Sequence, residues 1–165
     1  MKTKTKSAYI QGTVEQVFSA MDNFSMTGMH MSEKSWMMMG SHLELEVLSK
    51  IEGQGAVVRW HGKIIGIPID FTQRVTKWKP PYFKSWETNE GARLIIMSWY
   101  EMHFSIKEQI PGDVLLELSI SYLPPREWYF KIAGFFLAPL YCNWCLDNML
   151  KAARLHRINA TANVP

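Results

Sequence analysis

The segment between Met21 and Met39 carries side chains that could bind a soft metal. It holds seven of the chain's eleven methionines, and His30 lies between Met29 and Met31. Thioethers beside an imidazole are suitable ligands for Cu(I). The tract has no repeated motif, however, and flexible methionine also fills irregular apolar gaps in a core or a lid. We therefore favour an adaptable apolar wall over a metal site.

A second candidate for metal or redox chemistry is the pair Cys142 and Cys145, which has C-x-x-C spacing. Redox pairs of this spacing normally lie at a helix N-terminus, where the helix dipole stabilises a thiolate. Here the pair falls inside a predicted helix, and a zinc site needs further ligands at close spacing. The pattern favours two buried, unpaired thiols in a reducing compartment, and hence a cytoplasmic protein.

No other motif in the chain indicates a committed active site. The sequence has no G-x-S-x-G, no phosphate-binding loop and no dinucleotide fingerprint, and its five histidines are scattered. The net charge of +3 is mild, whereas nucleic-acid binding usually needs a concentrated basic stripe. We therefore assign no catalytic residue, no metal ligand, no cofactor and no nucleic-acid partner from the sequence.

The predicted elements form a sheet interrupted by helices near its start. Residues 5–11 read as a strand, and Thr13 with Gln16 forms a capping box that opens a helix ending near Asp22. A second short helix and a loop follow. From Leu43 onward the apolar period changes to two, and turn residues separate six further strands. Short turns between consecutive strands predict an antiparallel sheet.

Strand alternation brings a set of apolar and polar residues onto one inner face. Leu94 and Ile106 mark the ends of the longest run of alternation. The face is apolar with a few polar groups, as small-molecule sites are generally built, although a filled core in which those groups satisfy one another has the same pattern. Trp86 is ambiguous, because the alternation that turns it inward also turns Lys84 inward. The inner-face residues are Trp60, Phe71, Gln73, Ser98, Tyr100, Met102 and Tyr122.

The last predicted helix follows two prolines and runs to about residue 156, and Pro139 is expected to kink or break it. In its second half a polar stripe (Asn143, Asp147, Lys151, Arg154) opposes an apolar one (Cys142, Cys145, Met149, Ala152, Ala153). Its first half is apolar on almost every side. Such a surface must be covered by the protein or by a partner. We therefore expect contact with a membrane or with a second copy through Trp128, Phe130 and Phe135.

Four segments carry a resemblance to a known superfamily: TVEQVFSAMDN, GKIIGIPIDFTQRVTKWKPPYFKSWET, YEMHFSI and YCNWCLDNML. With the order of elements, they resemble the START-like superfamily, and within it the SRPBCC group of polyketide cyclases, dehydrases and lipid-transport proteins. The resemblance implies a single α+β domain, residues 1–165, with the helix-grip fold. In that fold a curved seven-stranded antiparallel sheet wraps round a long C-terminal helix, two short helices follow the first strand, and an apolar cavity lies between sheet and helix.

The resemblance also implies a function. We expect the protein to bind or transport a small hydrophobic ligand, such as a lipid, quinone, polyketide or sterol-like molecule, with a tyrosine or Gln73 orienting its polar end. A cyclase or dehydratase acting on a polyketide-like substrate in the same cavity is the alternative. The methionine tract then lies at the cavity mouth. The expected ligand-binding residues are Met29, Met31, Trp60, Phe71, Gln73, Trp86, Ser98, Tyr100, Met102, Tyr122 and Phe136.

Overall fold

The computed structural model describes residues 1–89, 92 and 94–162, without the side chains of residues 129 and 156–162. The chain contains one strand, three short helices, six strands and one long helix. The elements are β1 (Lys2–Gln11), α1 (Val14–Asp22), α2 (Phe24–Thr27), α3 (Met29–Ser32), β2 (Leu43–Val47), β3 (Val57–Ile64), β4 (Ile67–Lys79), β5 (Phe83–Thr88), β6 (Trp99–Ile110), β7 (Asp113–Leu123) and α4 (Trp128–Ala162). The predicted order of elements is confirmed, with three short helices after β1 where two were expected.

The strands form one antiparallel sheet in the order β1-β7-β6-β5-β4-β3-β2. Side chains alternate between buried and half-buried along β6 from Trp99 to Ile106, as expected for a sheet with one covered face. The core lies between this face and the helices. The predicted α+β class and the antiparallel pairing are therefore confirmed.

The start of α1 follows directly from its local sequence. The Gln16 backbone N–H donates to the Thr13 hydroxyl at 3.3 Å, and the Thr13 N–H donates to Gln16 Oε1 at 3.0 Å. These two bonds satisfy two of the amide groups that a helix N-terminus leaves open. The predicted capping box is confirmed, and α1 ends at Asp22 as expected.

The second half of α4 covers the sheet with the predicted apolar stripe. Buried positions recur every three or four residues, at Ala138, Cys142, Cys145, Leu146 and Met149. Of the kink or break expected at Pro139, the break is wrong, because α4 continues through that residue. Packing of the inward face, at Ala138 beside the proline and at Cys142 after it, outweighs the one backbone hydrogen bond that proline removes.

The start of β6 also differs from the prediction. Alternation suggested a strand from Leu94, but β6 begins at Trp99. Before that point the side chains no longer follow the pleat: Met97 is buried, and the Ser98 hydroxyl donates to the Pro124 carbonyl at 2.8 Å. Ser98 therefore lies just before the regular alternation of β6, although its backbone N–H still donates to the Leu123 carbonyl of β7 at 3.1 Å.

Candidate functional site

A small cavity lies between the sheet, α2–α3 and α4. Its volume is about 30 Å³, which is the share of one water molecule in the liquid. All three layers contribute walls, so the cavity is a product of the tertiary fold. The lining residues are Phe24, Thr27, Gly28, His30, Met31, Trp60, Gln73, Trp86, Tyr100, Met102, Ile120, Tyr141, Cys145 and Met149.

The sheet wall of the cavity carries a chain of buried hydrogen bonds. The Trp60 indole N–H donates to Gln73 Oε1 at 3.0 Å, and Gln73 Nε2 donates to the Tyr100 hydroxyl oxygen at 2.5 Å. With Gln73 as donor, the Tyr100 hydroxyl keeps its own proton for a further acceptor. Burial raises the pKa of Tyr100, so the hydroxyl stays neutral. The arrangement presents one O–H donor inside a mostly apolar space.

Helices α2 and α3 close the cavity on one side. They are four residues each and meet at Gly28, which lies flat against the Trp60 indole. A side chain at Gly28 would overlap that ring, so glycine permits the close approach of this lid to the sheet. Met31 is buried at the same wall. We define residues 24–32 as the lid.

His30 is a cavity residue that the strand and helix patterns did not predict to face inward. Its ring stands edge-to-face against Trp144, with 5.0 Å between ring centroids. Desolvation lowers the pKa of His30 to about 4, and a hydrogen bond to the Thr27 backbone opposes this only in part. The imidazole is therefore neutral at pH 7. The sequence feature that could have drawn attention to His30 was its position between Met29 and Met31, but that position suggested a metal ligand rather than a cavity residue.

The two cysteines are confirmed as buried free thiols. Cys145 lines the cavity and contacts the Tyr141 hydroxyl, whereas Cys142 lies one turn earlier, outside the lining. Burial raises the pKa of both thiols, that of Cys142 to about 12. Burial thus disfavours the thiolate form of both side chains, unlike the lowered pKa of a redox-active C-x-x-C pair. Among the described residues, no three His, Cys, Asp or Glu side chains converge to hold a metal ion.

Six of the eleven residues expected to contact a ligand line this cavity: Met31, Trp60, Gln73, Trp86, Tyr100 and Met102. Two others are buried outside the lining. Phe71 packs edge-to-face on Tyr100, and Tyr122 has a buried hydroxyl with no hydrogen-bond partner in the part of the chain that the structure describes. Ser98 lines a separate groove. Met29 is 41% exposed and Phe136 is 65% exposed.

The exposure of Phe136 has a simple helical cause. The inward positions of α4 include Gly134, Ala138 and Cys142, and Phe136, halfway between the first two, points away from the sheet. Met29 is exposed for the same reason: Met31, two residues later in α3, points inward, so Met29 points outward. In both cases apolar character alone did not decide which side of the helix faced the cavity.

A buried ion pair lies beside the lid and was missed by sequence reasoning. The Lys84 ammonium is 2.6 Å from Asp22 Oδ1, donates to the Asp22 carbonyl at 2.7 Å and lies 4.0 Å from the centre of the Phe24 ring. Burial lowers the pKa of Lys84, while the hydrogen bond and charge of Asp22 oppose that shift. Trp78 donates to the other oxygen of Asp22 at 3.1 Å. The ambiguous alternation in β5 is thereby resolved, since both Lys84 and Trp86 point inward.

Protonation of His30 should contribute to acid sensitivity. The unfolded chain binds a proton at this residue near pH 6.5, but the folded protein binds it only near pH 4. Stability is therefore expected to fall as the pH drops from about 6.5 to about 4. Urea unfolding of a His30→Gln variant should show a shallower fall over this window than the wild type. Equal slopes for the two proteins would contradict the burial of a neutral imidazole.

Comparisons with known proteins were made for the sequence and for the fold. No family model matches the sequence, and no curated protein matches it. The fold matches many solved structures. The aromatase/cyclase Zhui from Streptomyces sp. R1128 has a TM-score of 0.71 at 15% identity, with 99% of both chains covered. Norcoclaurine synthase from Thalictrum flavum has a TM-score of 0.67 at 14% identity, with 97% of this chain and 96% of that chain covered.

A START superfamily protein from Mycobacterium smegmatis matches with a TM-score of 0.59 at 17% identity, over 92% of this chain and 94% of its own. The molecule therefore has the helix-grip fold of START-like proteins, also called SRPBCC proteins, as the resemblance implied. Proteins with this fold include both ligand-binding proteins and enzymes, so the fold alone does not define an activity.

Proposed function

We propose that residues 1–165 act as one domain that binds or carries a small hydrophobic molecule, such as a lipid, quinone, polyketide or sterol-like compound, between the sheet and α4. The observation that carries this proposal is the chain of hydrogen bonds from Trp60 through Gln73 to Tyr100 inside a mostly apolar cavity. A few placed polar groups on apolar walls are how small-molecule sites achieve orientation. Norcoclaurine synthase, which has the same fold, was solved with dopamine and hydroxybenzaldehyde.

Binding requires the cavity to enlarge. Its volume of about 30 Å³ is far below the roughly 300–1,000 Å³ of pockets that hold drug-sized ligands. The lid is the part best suited to move, because two four-residue helices contain few internal hydrogen bonds. Met31 and Met102 can repack around ligands of different shape. We therefore propose that the lid opens locally while α4 and the sheet stay in place.

The residues of the cavity divide into an anchor and walls. Tyr100 donates a hydrogen bond to a carbonyl or hydroxyl oxygen of the ligand, and Gln73 holds the Tyr100 ring in that orientation. Trp60, Trp86 and Met31 supply apolar contact. The proposal also retains a cytoplasmic location, where the two free thiols stay reduced.

Replacing Tyr100 by phenylalanine should weaken binding of a carbonyl-bearing apolar probe. The fluorophore Prodan suits this test, because it has one carbonyl acceptor and its emission shifts to the blue in an apolar site. Loss of one hydrogen bond is expected to raise the Kd of Prodan about tenfold. Tyr122→Phe is the matched control, since Tyr122 pairs with Tyr100 across the ladder but lies outside the cavity lining. Equal Prodan affinity in both variants would contradict the proposal.

Opening of the lid can be measured without any ligand. Cys145 lines the cavity and Cys142 does not, although both are buried on the same helix. If the lid opens locally, N-ethylmaleimide should modify Cys145 much faster than Cys142, because local opening costs less free energy than global unfolding. Peptide mass spectrometry reads the two rates separately. Equal rates would mean that the cavity opens only when the whole protein unfolds.

An enzymatic role is the second candidate, and the position of His30 favours it. A neutral imidazole lies at the same cavity as the Tyr100 and Tyr141 hydroxyls, so a proton acceptor and proton donors face a common space. This would suit a cyclase or dehydratase of polyketide-like substrates. The test is chemical change of a molecule recovered by organic extraction of the purified protein. Conversion by the wild type and not by His30→Gln would support catalysis.

A further inference from the structure

The solvent-facing side of α4 changes character near Pro139. After that residue the outer positions are polar, as in Asn143, Asp147 and Lys151. Before it, and at the residue that directly follows it, the outer positions are apolar and more than half exposed. They are Trp128, Ile132, Phe135, Phe136 and Leu140. Their spacing of three to four residues places them on one stripe of the helix, and an exposed apolar stripe of this length indicates a binding surface. We call these five residues the apolar stripe.

The hairpin between β3 and β4 presents a second exposed apolar feature. Its two-residue loop is Ile65-Gly66, and φ is positive at both residues, 50° and 76°. Asn-Gly is the favoured pair for such a loop, whereas a β-branched residue at positive φ is strained. Ile65 is nevertheless present there, with its side chain 62% exposed. The loop geometry does not explain this choice, which is consistent with a requirement for an apolar tip.

A groove joins the hairpin to the start of α4. Its volume is about 340 Å³. Ile67 and Ile69 of β4 form one wall, and Pro125 and Phe130 form another. The tip of the hairpin and the first turns of α4 therefore lie at the same end of the molecule. The apolar stripe and the hairpin tip lie on either side of this groove, so both can approach the same partner surface.

Basic side chains surround this surface. The Lys2 ammonium lies 4.3 Å from the centre of the Phe135 ring, and Lys131 occupies the same exposed part of α4. Lys63 precedes the hairpin loop, and Arg126 lines the groove. Among the described residues that line the groove, Glu127 is the one carboxylate. Apolar and aromatic residues within a basic rim match an anionic lipid surface, where cations meet headgroups and aromatic rings lie at the interface.

We propose that this end of the molecule docks on the surface of an anionic lipid bilayer, with the apolar stripe and Ile65 entering the headgroup region. No helix among the described residues could cross a bilayer, so the contact is interfacial. A two-fold contact between copies fits less well, because it would bring the basic rim of one copy against that of the other. The proposal concerns the outer surface and does not depend on a ligand in the cavity.

The test uses vesicles of phosphatidylcholine alone and of phosphatidylcholine mixed with phosphatidylglycerol. Flotation should recover the protein with the mixed vesicles, and added salt should weaken the binding. Phe135→Ser and Ile65→Asn should each lower the partition coefficient about tenfold, since each removes one buried apolar side chain. Ile65→Asn should also raise the melting temperature, because asparagine tolerates positive φ. If Ile65→Asn is more stable than the wild type and yet binds vesicles less well, its weaker binding cannot be caused by unfolding.

Ile110→Asn is the matched control. Ile110 is 59% exposed and lies at the opposite end of β6 from Trp99, away from the groove. Its replacement should leave flotation unchanged. Equal binding to neutral vesicles, or unchanged binding of Phe135→Ser and Ile65→Asn, would overturn the proposal. A dimer in solution that Phe135→Ser converts to a monomer would overturn it as well, because the stripe would then serve self-association.

Discussion

Replacement of Trp60 by alanine is expected to lower the free energy of unfolding by about 3–5 kcal/mol. Trp60 is completely buried on the inner face of β3, and its ring supports the lid at Gly28. The substitution leaves a void and also removes the indole donor from Gln73 Oε1. Both changes act in the same direction, because an unsatisfied buried acceptor adds its own desolvation cost. Urea unfolding monitored by circular dichroism measures the loss.

The enlarged cavity of the Trp60→Ala variant gives this prediction a second readout. Engineered apolar cavities bind small aromatic molecules. Indole should therefore restore part of the variant's stability and should stabilise the variant more than the wild type, whose closed cavity is about 30 Å³. Trp36→Ala is the matched control, since Trp36 is 77% exposed and its removal should change stability by less than about 0.5 kcal/mol. A Trp60→Ala variant as stable as the wild type would mean that Trp60 is not a central core residue.

Replacement of Asp22 by asparagine is expected to cost about 3 kcal/mol, whereas Lys84→Met should cost within about 1 kcal/mol. The asymmetry arises because the two partners differ in burial. The Lys84 side chain is 3% exposed, so removal of its counter-charge leaves an ammonium ion in an apolar site. The Asp22 side chain is 30% exposed, so its carboxylate remains partly hydrated and bonded to Trp78 when Lys84 is replaced.

The pH dependence of Asp22→Asn distinguishes a buried charge from a simple loss of packing. In the variant the negative charge of Asp22 no longer offsets the effect of burial on Lys84. The pKa of Lys84 should therefore fall further below 10.5. Between the folded and unfolded pKa values the unfolded chain binds more protons, so stability rises with pH. The deficit of the variant should therefore shrink as the pH is raised toward 10.5. A deficit that is constant with pH, or a larger cost for Lys84→Met, would contradict this account.

Local features of the fold could be predicted where neighbouring residues determine them. The capping box depends on two residues three positions apart, Thr13 and Gln16, and both bonds form as expected. Period-two alternation brought Trp60, Gln73 and Tyr100 to one face, because side chains of a regular strand must alternate. The buried apolar side of the second half of α4 was predictable in the same way, because residues three or four positions apart share one side of a helix.

Predictions failed where a position depended on distant parts of the chain. Alternation could not locate the start of β6, and Ser98, expected beside Gln73, lines a separate groove. The sequence around Pro139 predicts a kink or a break, but α4 continues through the proline, with Ala138 and Cys142 packed in the core. Lys84 and Asp22 are 62 residues apart, and no local pattern relates them. The inward position of His30 depends in the same way on the path of the lid over the sheet.

The sequence by itself therefore determined the elements, their order, the antiparallel sheet and the polar residues of its inner face, because short-range periodicity and capping chemistry specify these. Only the tertiary structure decided the volume of the cavity, the burial of Lys84 against Asp22 and the exposure of Phe136. These properties arise from how three layers pack against one another, and a change of one side chain in any layer alters the space that remains. The same packing leaves much of the first half of α4 uncovered, whereas the sequence had left open whether the protein itself covers this apolar segment.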